Sequence, residues 1–494
     1  MKKISETTLY SGLAALAVLI ALVQLNRTPL PWIDEALLAS TSLSANGAPA
    51  VLASFPHTGK FTWFYGPAGF FFGRISFSLF GVSMWSWRIL CWISATLIVL
   101  GSAWLVHIIT RSRPYAALAA ALVALSPSLG QRFSSGRFDA FTVACEILAL
   151  CFLIRGGGWW NSGVAGLLLA GAVLSTPRAQ PFVLGLSLAI CGRAVLKRQS
   201  DLLKRLCVAG ITAGAVVSAW TFSVGLNPWS WFRFLLSVSS GDRNNSSPLL
   251  HGSWGLEAIS LQGLVVPLCL ALWLGLMFFR RTRGQRIDDR SAVILAAALL
   301  NAVLTALLIS RLFAYEIFWD IPLITAFVAA AASYEPEPRL FRSWMSSAAA
   351  IMLVASLGVR VAKVSEVFMS WRARDPAPIK NFVCQHVPPS STVYGTREFY
   401  FYAVEGCGST YLFTQEWIAE GLNSRAGQPV YTPGAFVIWP MGVPVDVKAN
   451  LKEVARFTPQ SHAFSEARAS HIGIMTSVTR FAGGYPETVL YQIQ

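Results

Sequence analysis

Long apolar runs, broken only by short clusters of basic residues, set the strongest limit on what this chain can fold into. They lie near residues 9–25, 84–109, 115–129, 138–154, 162–175, 181–196, 206–225, 258–279, 291–310, 317–333 and 344–362. A helix of about 20 apolar residues matches the hydrocarbon thickness of a bilayer, and such runs repeated along a chain have no counterpart in a soluble core. Charged residues make up only 13% of the sequence, against roughly 25% in soluble domains. The expectation is a polytopic α-helical membrane protein with about eleven transmembrane helices, several shorter than a full crossing. The first run follows Lys2 and Lys3 and has the length of a signal-peptide core. No small-residue cleavage site follows it, so it reads as an uncleaved span.

The net charge of +15 belongs to the connections between runs rather than to a soluble basic face, which argues against a nucleic-acid partner. With the N-terminus inside, alternate connections hold Arg111 and Arg113; Arg155; Arg193, Lys197, Arg198, Lys204 and Arg205; Arg280, Arg281, Arg283, Arg286 and Arg290; and Arg339 and Arg342. Cytoplasmic loops are the basic ones, so this register predicts an odd number of spans and an outer C-terminal tail. The outer connections are then 26–83, 130–137, 176–180, 226–257, 311–316 and the tail. Residues 1–362 read as a membrane domain and 363–494 as a small extracytoplasmic α/β domain. Its expected strands are Thr392–Gly395, Phe399–Val404, Ala435–Trp439, His471–Thr476 and Thr488–Gln492. In the first outer loop, the apolar stretch Pro67–Phe80 is broken by Arg74 and suits a helix lying in the interface. Six of the eight cysteines sit in apolar runs; Cys384 and Cys407, in the tail, could form one disulfide if it faces an oxidising compartment.

Several polar residues fall where the bilayer makes them costly. Asp34 and Glu35 open an amphipathic stretch directly after the first span, either as an N-terminus whose acids favour the helix dipole or as part of a site. Asp139 begins a later span on the same predicted face, near Arg132 and Arg137, where Ser134 or Ser135 offers a cap. Glu146 lies deeper on the same helix, with Arg88 or Arg74 as a possible partner. Arg178 is bracketed by Pro177 and Pro181, and Arg311 stands near Tyr315 and Glu316. Arginines collected on the outer face run against the usual charge bias. Lipid headgroups or a phosphate ligand would explain them, since the guanidinium fork grips phosphate through two bonds. His57 and Lys60, in the first loop, are ordinary loop residues or members of the same site.

The ordered segments "DEALLA", "YGPAGFFFGRISFSLFG" with "SWRIL", "ALSPSLGQRFSSGRFDAF" and "LSTPRAQPFVLGL" resemble the C-type membrane glycosyltransferases (GT-C) over roughly residues 28–190. The nearest branch is that of the protein O-mannosyltransferases and the lipid A aminoarabinose transferase. The resemblance implies a catalytic base at Asp34, a second acidic position at Asp139, a polyprenyl-phosphate sugar donor and inversion at the anomeric carbon. Tyr65-Gly66-Pro67 stands where the aminoarabinose enzymes carry an acidic-basic pair before the proline, and Arg178 stands one residue beyond their loop lysine. The sugar therefore stays open.

On this reading Asp34 takes the proton of an acceptor hydroxyl as it attacks the sugar. Glu35, His57, Lys60, Tyr65, Arg137, Asp139, Arg178 and Arg311 are the expected substrate-binding residues. No cofactor is required, and a divalent metal is left open. The expected partners are membrane lipid, a lipid-linked donor and a glycan, glycolipid or protein acceptor; the expected location is the bacterial inner membrane. A transporter of lipid-linked saccharide is the alternative, weakened by the lack of inverted halves.

Overall fold

A computed structural model of the chain describes residues 5–27, 33–43, 66–133, 135–197, 200–223, 227–231, 288–308, 316–333, 339–396, 399–413, 431–441, 449–459 and 485–494, with single positions at 225, 275 and 447. Its helices, in chain order, are α1 Glu6–Val23, α2 Ile33–Leu43, α3 Pro67–Phe80, α4 Met84–Thr110, α5 Arg113–Leu125, α6 Pro127–Arg132, α7 Asp139–Arg155, α8 Trp159–Val173, α9 Gln180–Lys197, α10 Asp201–Ser223, α11 Asp289–Leu308, α12 Ile317–Ala332, α13 Arg339–Met369 and α14 Pro376–His386. Six of them are long and apolar enough to cross a membrane among the described residues. The expected span 258–279 lies almost wholly outside those residues.

Local chemistry sets the helix ends. Ser83 accepts the backbone N–H of Ser86, whose hydroxyl returns the bond, so α4 opens on a capping box. At its far end Arg111 turns the chain in the left-handed region, and Pro114 in the first turn of α5 starts the next helix with its backbone angle already set. The core is built around α12, which is buried from Ile317 to Ala331 and packs against α4, α5, α7 and α11. Leu16, Val195, Leu196 and Ile211, by contrast, are exposed on helix faces that only lipid would cover.

The two ends of the bundle differ in charge. Arg111, Arg113, Arg155, Lys197 and Lys204 are exposed at one end. There Arg193 pairs with Asp289, and Arg205 reaches the Leu153 carbonyl. The other end carries the α5–α6 turn, the start of α7 and the start of α12.

Beyond α13 the chain forms a five-stranded mixed sheet of order β2-β1-β3-β5-β4. Its strands are β1 Thr392–Gly395, β2 Thr410–Phe413, β3 Phe436–Pro440, β4 Leu451–Phe457 and β5 Thr488–Ile493. β1 is parallel to β2 and β3, whereas β5 is antiparallel to β3 and β4. The segment expected as a strand at Phe399–Val404 is helical instead, running into a π-helical turn at Tyr402–Gly406. A parallel β1–β2 pair needs a crossover, and this segment supplies it. The expected strand His471–Thr476 lies outside the described residues. Phe399, Tyr402, Phe436 and Leu490 join Ala36, Trp87 and Phe138 in one apolar cluster, so the sheet is seated on α2 and α4.

Candidate functional site

Arg88, in the first turns of α4, has no exposure to solvent, and neither has Glu35 on the first turn of α2. Arg88 donates from Nε to Glu35 Oε1 at 2.6 Å and from Nη2 to Oε2 at 2.8 Å. Its third donor, Nη1, reaches the Leu25 carbonyl at 2.8 Å. One side chain thereby ties the end of α1, the start of α2 and the start of α4. Each Glu35 oxygen accepts one of these bonds, so Glu35 holds Arg88 and with it the α2 turn. The same bond removes Arg88 as a partner for Glu146, whose buried carboxylate has no hydrogen-bond partner among the described residues.

The first turn of α2 also holds the segment that leads to α7. Gly136 sits at φ +63° against Glu35, and a Cβ there would come within 2.4 Å of Glu35 Cγ. Trp87 donates its indole N–H to the Gly136 carbonyl at 2.9 Å, and Cys91 donates to the Arg137 carbonyl at 3.4 Å. Glycine is required at this point twice over, by the backbone region and by the close approach.

Asp139 opens α7 and is 1% exposed. Three guanidinium groups from three different elements surround it. Arg132 Nη1, at the end of α6, lies 3.4 Å from Oδ2, and Arg137 Nε lies 3.3 Å from the same oxygen. Arg178 Nη1, on the 3-10 turn Pro177–Ala179, lies 3.8 Å from Oδ1. Pro177 and the missing α-helix there match the irregular backbone that the two prolines imply. Three guanidinium groups thus converge on one carboxylate. The side chains of Arg132 and Arg178 keep 11% and 12% exposure, so the cluster is open on one side. Such a group of fixed guanidiniums suits a phosphate.

The structure therefore brings Glu35, Arg137, Asp139 and Arg178 together, and adds Arg132, which lay in view in the sequence as one more arginine on the same face. Asp34 is on the first turn of α2 beside Glu35. Its side chain, and His57, Lys60, Tyr65 and Arg311 entirely, lie outside the described residues. Further along, Asp320 in α12 accepts from Ser126 Oγ at 2.9 Å and from Ser128 Oγ at 2.8 Å, which seats α6. Nothing in the spacing of the sequence pointed to that contact across 194 residues. No group of three or more His, Cys, Asp or Glu is placed to hold a metal ion among the described residues. Cys384 and Cys407 stand beside each other as free thiols, with burial and then Cys384 pushing Cys407 up to about 12.

No protein-family model matches the chain, and no curated protein is similar to it in sequence. Its fold has counterparts among solved structures. The crystal structure of ArnT from Cupriavidus metallidurans bound to undecaprenyl phosphate covers 97% of this chain, and 97% of that chain is matched, at a TM-score of 0.54 and 14% identity. The apo state of the same protein gives the same coverage and identity at a TM-score of 0.55. A fainter likeness, at a TM-score of 0.44 and 13% identity over 87% of this chain and 68% of that one, is to an oligosaccharyltransferase from Archaeoglobus fulgidus in complex with Zn and sulfate. The chain is thus a multi-pass helical membrane protein that shares the fold of ArnT.

Proposed function

We propose that this protein is an inverting glycosyltransferase that moves a sugar from a polyprenyl-phosphate donor to a hydroxyl of an envelope glycan, glycolipid or protein, on the outer face of the cytoplasmic membrane. The observation that carries the reading is the cluster of Arg132, Arg137 and Arg178 around Asp139, held through Gly136 against the helix turn that bears Asp34. A base and a phosphate cradle are the two parts such a reaction needs. The undecaprenyl phosphate bound to ArnT, which shares the fold, supports a lipid phosphate as the leaving group here.

In the proposed step the acceptor oxygen attacks the anomeric carbon as Asp34 takes its proton. The bond from that carbon to the phosphate oxygen breaks, and the electron pair leaves with the lipid phosphate. The leaving group is already a stable anion, so it needs fixed cations rather than a general acid. Asp139 keeps the three guanidiniums converged, and Glu35 acts through Arg88 to hold the α2 turn.

The test is transfer by the purified protein in nanodiscs, with undecaprenyl-phosphate sugars as donors. Asp34→Asn should lower turnover about a hundredfold to ten-thousandfold, the usual worth of a general base. A folded, inserted Asp34→Asn protein working at the wild-type rate would sink the mechanism. Arg178→Ala should raise the KM for donor about tenfold and leave that for acceptor unchanged. Equal loss for both substrates would argue against a phosphate contact.

A further inference from the structure

Two more cations bury their charged groups near the same end of the bundle, and the proposed reaction does not use them. Arg360 and Lys363 lie three residues apart on α13, on one helix face. Arg360 is 8% exposed, and among the described residues neither its Nε nor Lys363 Nζ has a hydrogen-bond partner. Neither side chain reaches ion-pair distance of a carboxylate among the described residues. The acid one turn further on, Glu366, is already taken by Arg374 at 2.9 Å. Glu316, in the turn before α12, is electrostatically felt by Lys363. Burial first, and Asp320 second, push Glu316 up to about 8, so near neutral pH it brings little negative charge.

The surroundings hold the cations in place without neutralising them. The Arg360 guanidinium lies 5.7 Å from the centre of the Phe133 ring. A Cβ on Gly130 would come within 2.4 Å of Arg360 Nη1, so a side chain there would displace it. Gly130 belongs to α6, whose last residue, Arg132, reaches Asp139. The second pair of cations is therefore joined to the first cluster through a single short helix. An ammonium and a guanidinium Nε withdrawn from water without a partner are costly, and a fixed anion is what removes that cost.

We infer that Arg360 and Lys363 form a second anion subsite, which takes a phosphate group alongside the lipid phosphate held at Asp139. The identity of that phosphate rests on the proposed function, and two sources have the same chemistry. It is either a phosphate carried by the acceptor or the second phosphate of a lipid diphosphate, which would replace the monophosphate donor proposed above.

The test uses the full chain in nanodiscs, titrated with undecaprenyl phosphate, with undecaprenyl diphosphate, and with inorganic phosphate added over saturating undecaprenyl phosphate. A donor source predicts that the diphosphate lipid binds about tenfold tighter than the monophosphate lipid. An acceptor source predicts equal affinity for the two lipids and a further, separate binding of inorganic phosphate. In either case the gain should vanish in Lys363→Met and in Arg360→Met. Glu316→Gln should instead tighten it at pH above 8, a rise that misfolding cannot mimic. The inference is overturned if wild type shows neither gain, or if the gain survives both methionine variants. Failure of the functional reading looks different: monophosphate lipid would then bind with no dependence on Arg178, whatever Lys363 does.

Discussion

Glu35 and Arg88 are fully buried and make two parallel hydrogen bonds, so removing either charge alone strands the other in a low-dielectric site. Breaking a buried pair in this way costs about 3–5 kcal/mol, while replacing both partners by apolar groups costs far less. Glu35→Gln should therefore lower the unfolding temperature sharply in detergent, and the double variant Glu35→Leu with Arg88→Met should recover most of it. The adjacency of Asp34 and Glu35 in the sequence invited a shared role. A helix turns about 100° per residue, which sends neighbours to different faces, and only the folded chain could show that Glu35 belongs to Arg88. Glu316 supplies a second test at this scale. Its folded value of about 8 stands above the ordinary 4.5, raised by burial and Asp320 and opposed by Lys363 and Arg132. A raised carboxyl stabilises the fold at low pH, and that contribution is lost as pH climbs from about 4.5 to about 8. Above that value the new negative charge beside Lys363 and Arg132 should also weaken phosphate binding, and Glu316→Gln should abolish this limb of the binding profile.

Helix α3 shows how an element can be legible while its docking is not. The sequence places a helix over Pro67–Phe80, and the structure has one over the same residues. Its glycines meet the site from one side: Gly66 faces the Leu174 backbone, Gly69 the Phe138 ring, and Gly73 Trp87 and Ser42. The opposite side leaves Phe71, Ile75 and Leu79 exposed. A methyl group on Gly66 would come within 2.3 Å of the Leu174 carbonyl oxygen, which is main chain and cannot swing aside. Gly66→Ala should push the turn that carries Arg178 away, costing about 1–3 kcal/mol of stability and raising the donor KM. Gly163→Ala, in open space on α8, is the control and should leave both unchanged or slightly improve stability. The strands were less legible than the helices. β4 is a charged edge strand with no alternation to read, and the buried run Phe399–Tyr402 offers apolar residues on every side, which suits a packed helical crossover as well as a strand.

At the scale of the molecule, the proposed site and the sheet share one end, because β3, β5 and the Tyr402–Tyr485 pair cover the same cluster that holds Trp87 and Phe138. The basic turns at Arg111, Arg155 and Lys197 occupy the other end. The separation was largely readable from charge, since basic residues are retained on the cytoplasmic side. What charge could not reveal is why several arginines gather at the end away from those basic turns, and burial around Asp139 is the physical answer. Sidedness then becomes a measurement on two positions. Glu453, on the solvent face of β4, and Arg113, at the start of α5, are both exposed. In spheroplasts a membrane-impermeant thiol reagent should label Glu453→Cys directly and Arg113→Cys only after permeabilisation, in a background whose exposed native cysteines are replaced by serine. The opposite pattern would put the arginine cluster at the cytoplasmic face. A donor made inside could then be used without crossing the membrane, and the case for chemistry on the outer face would be lost.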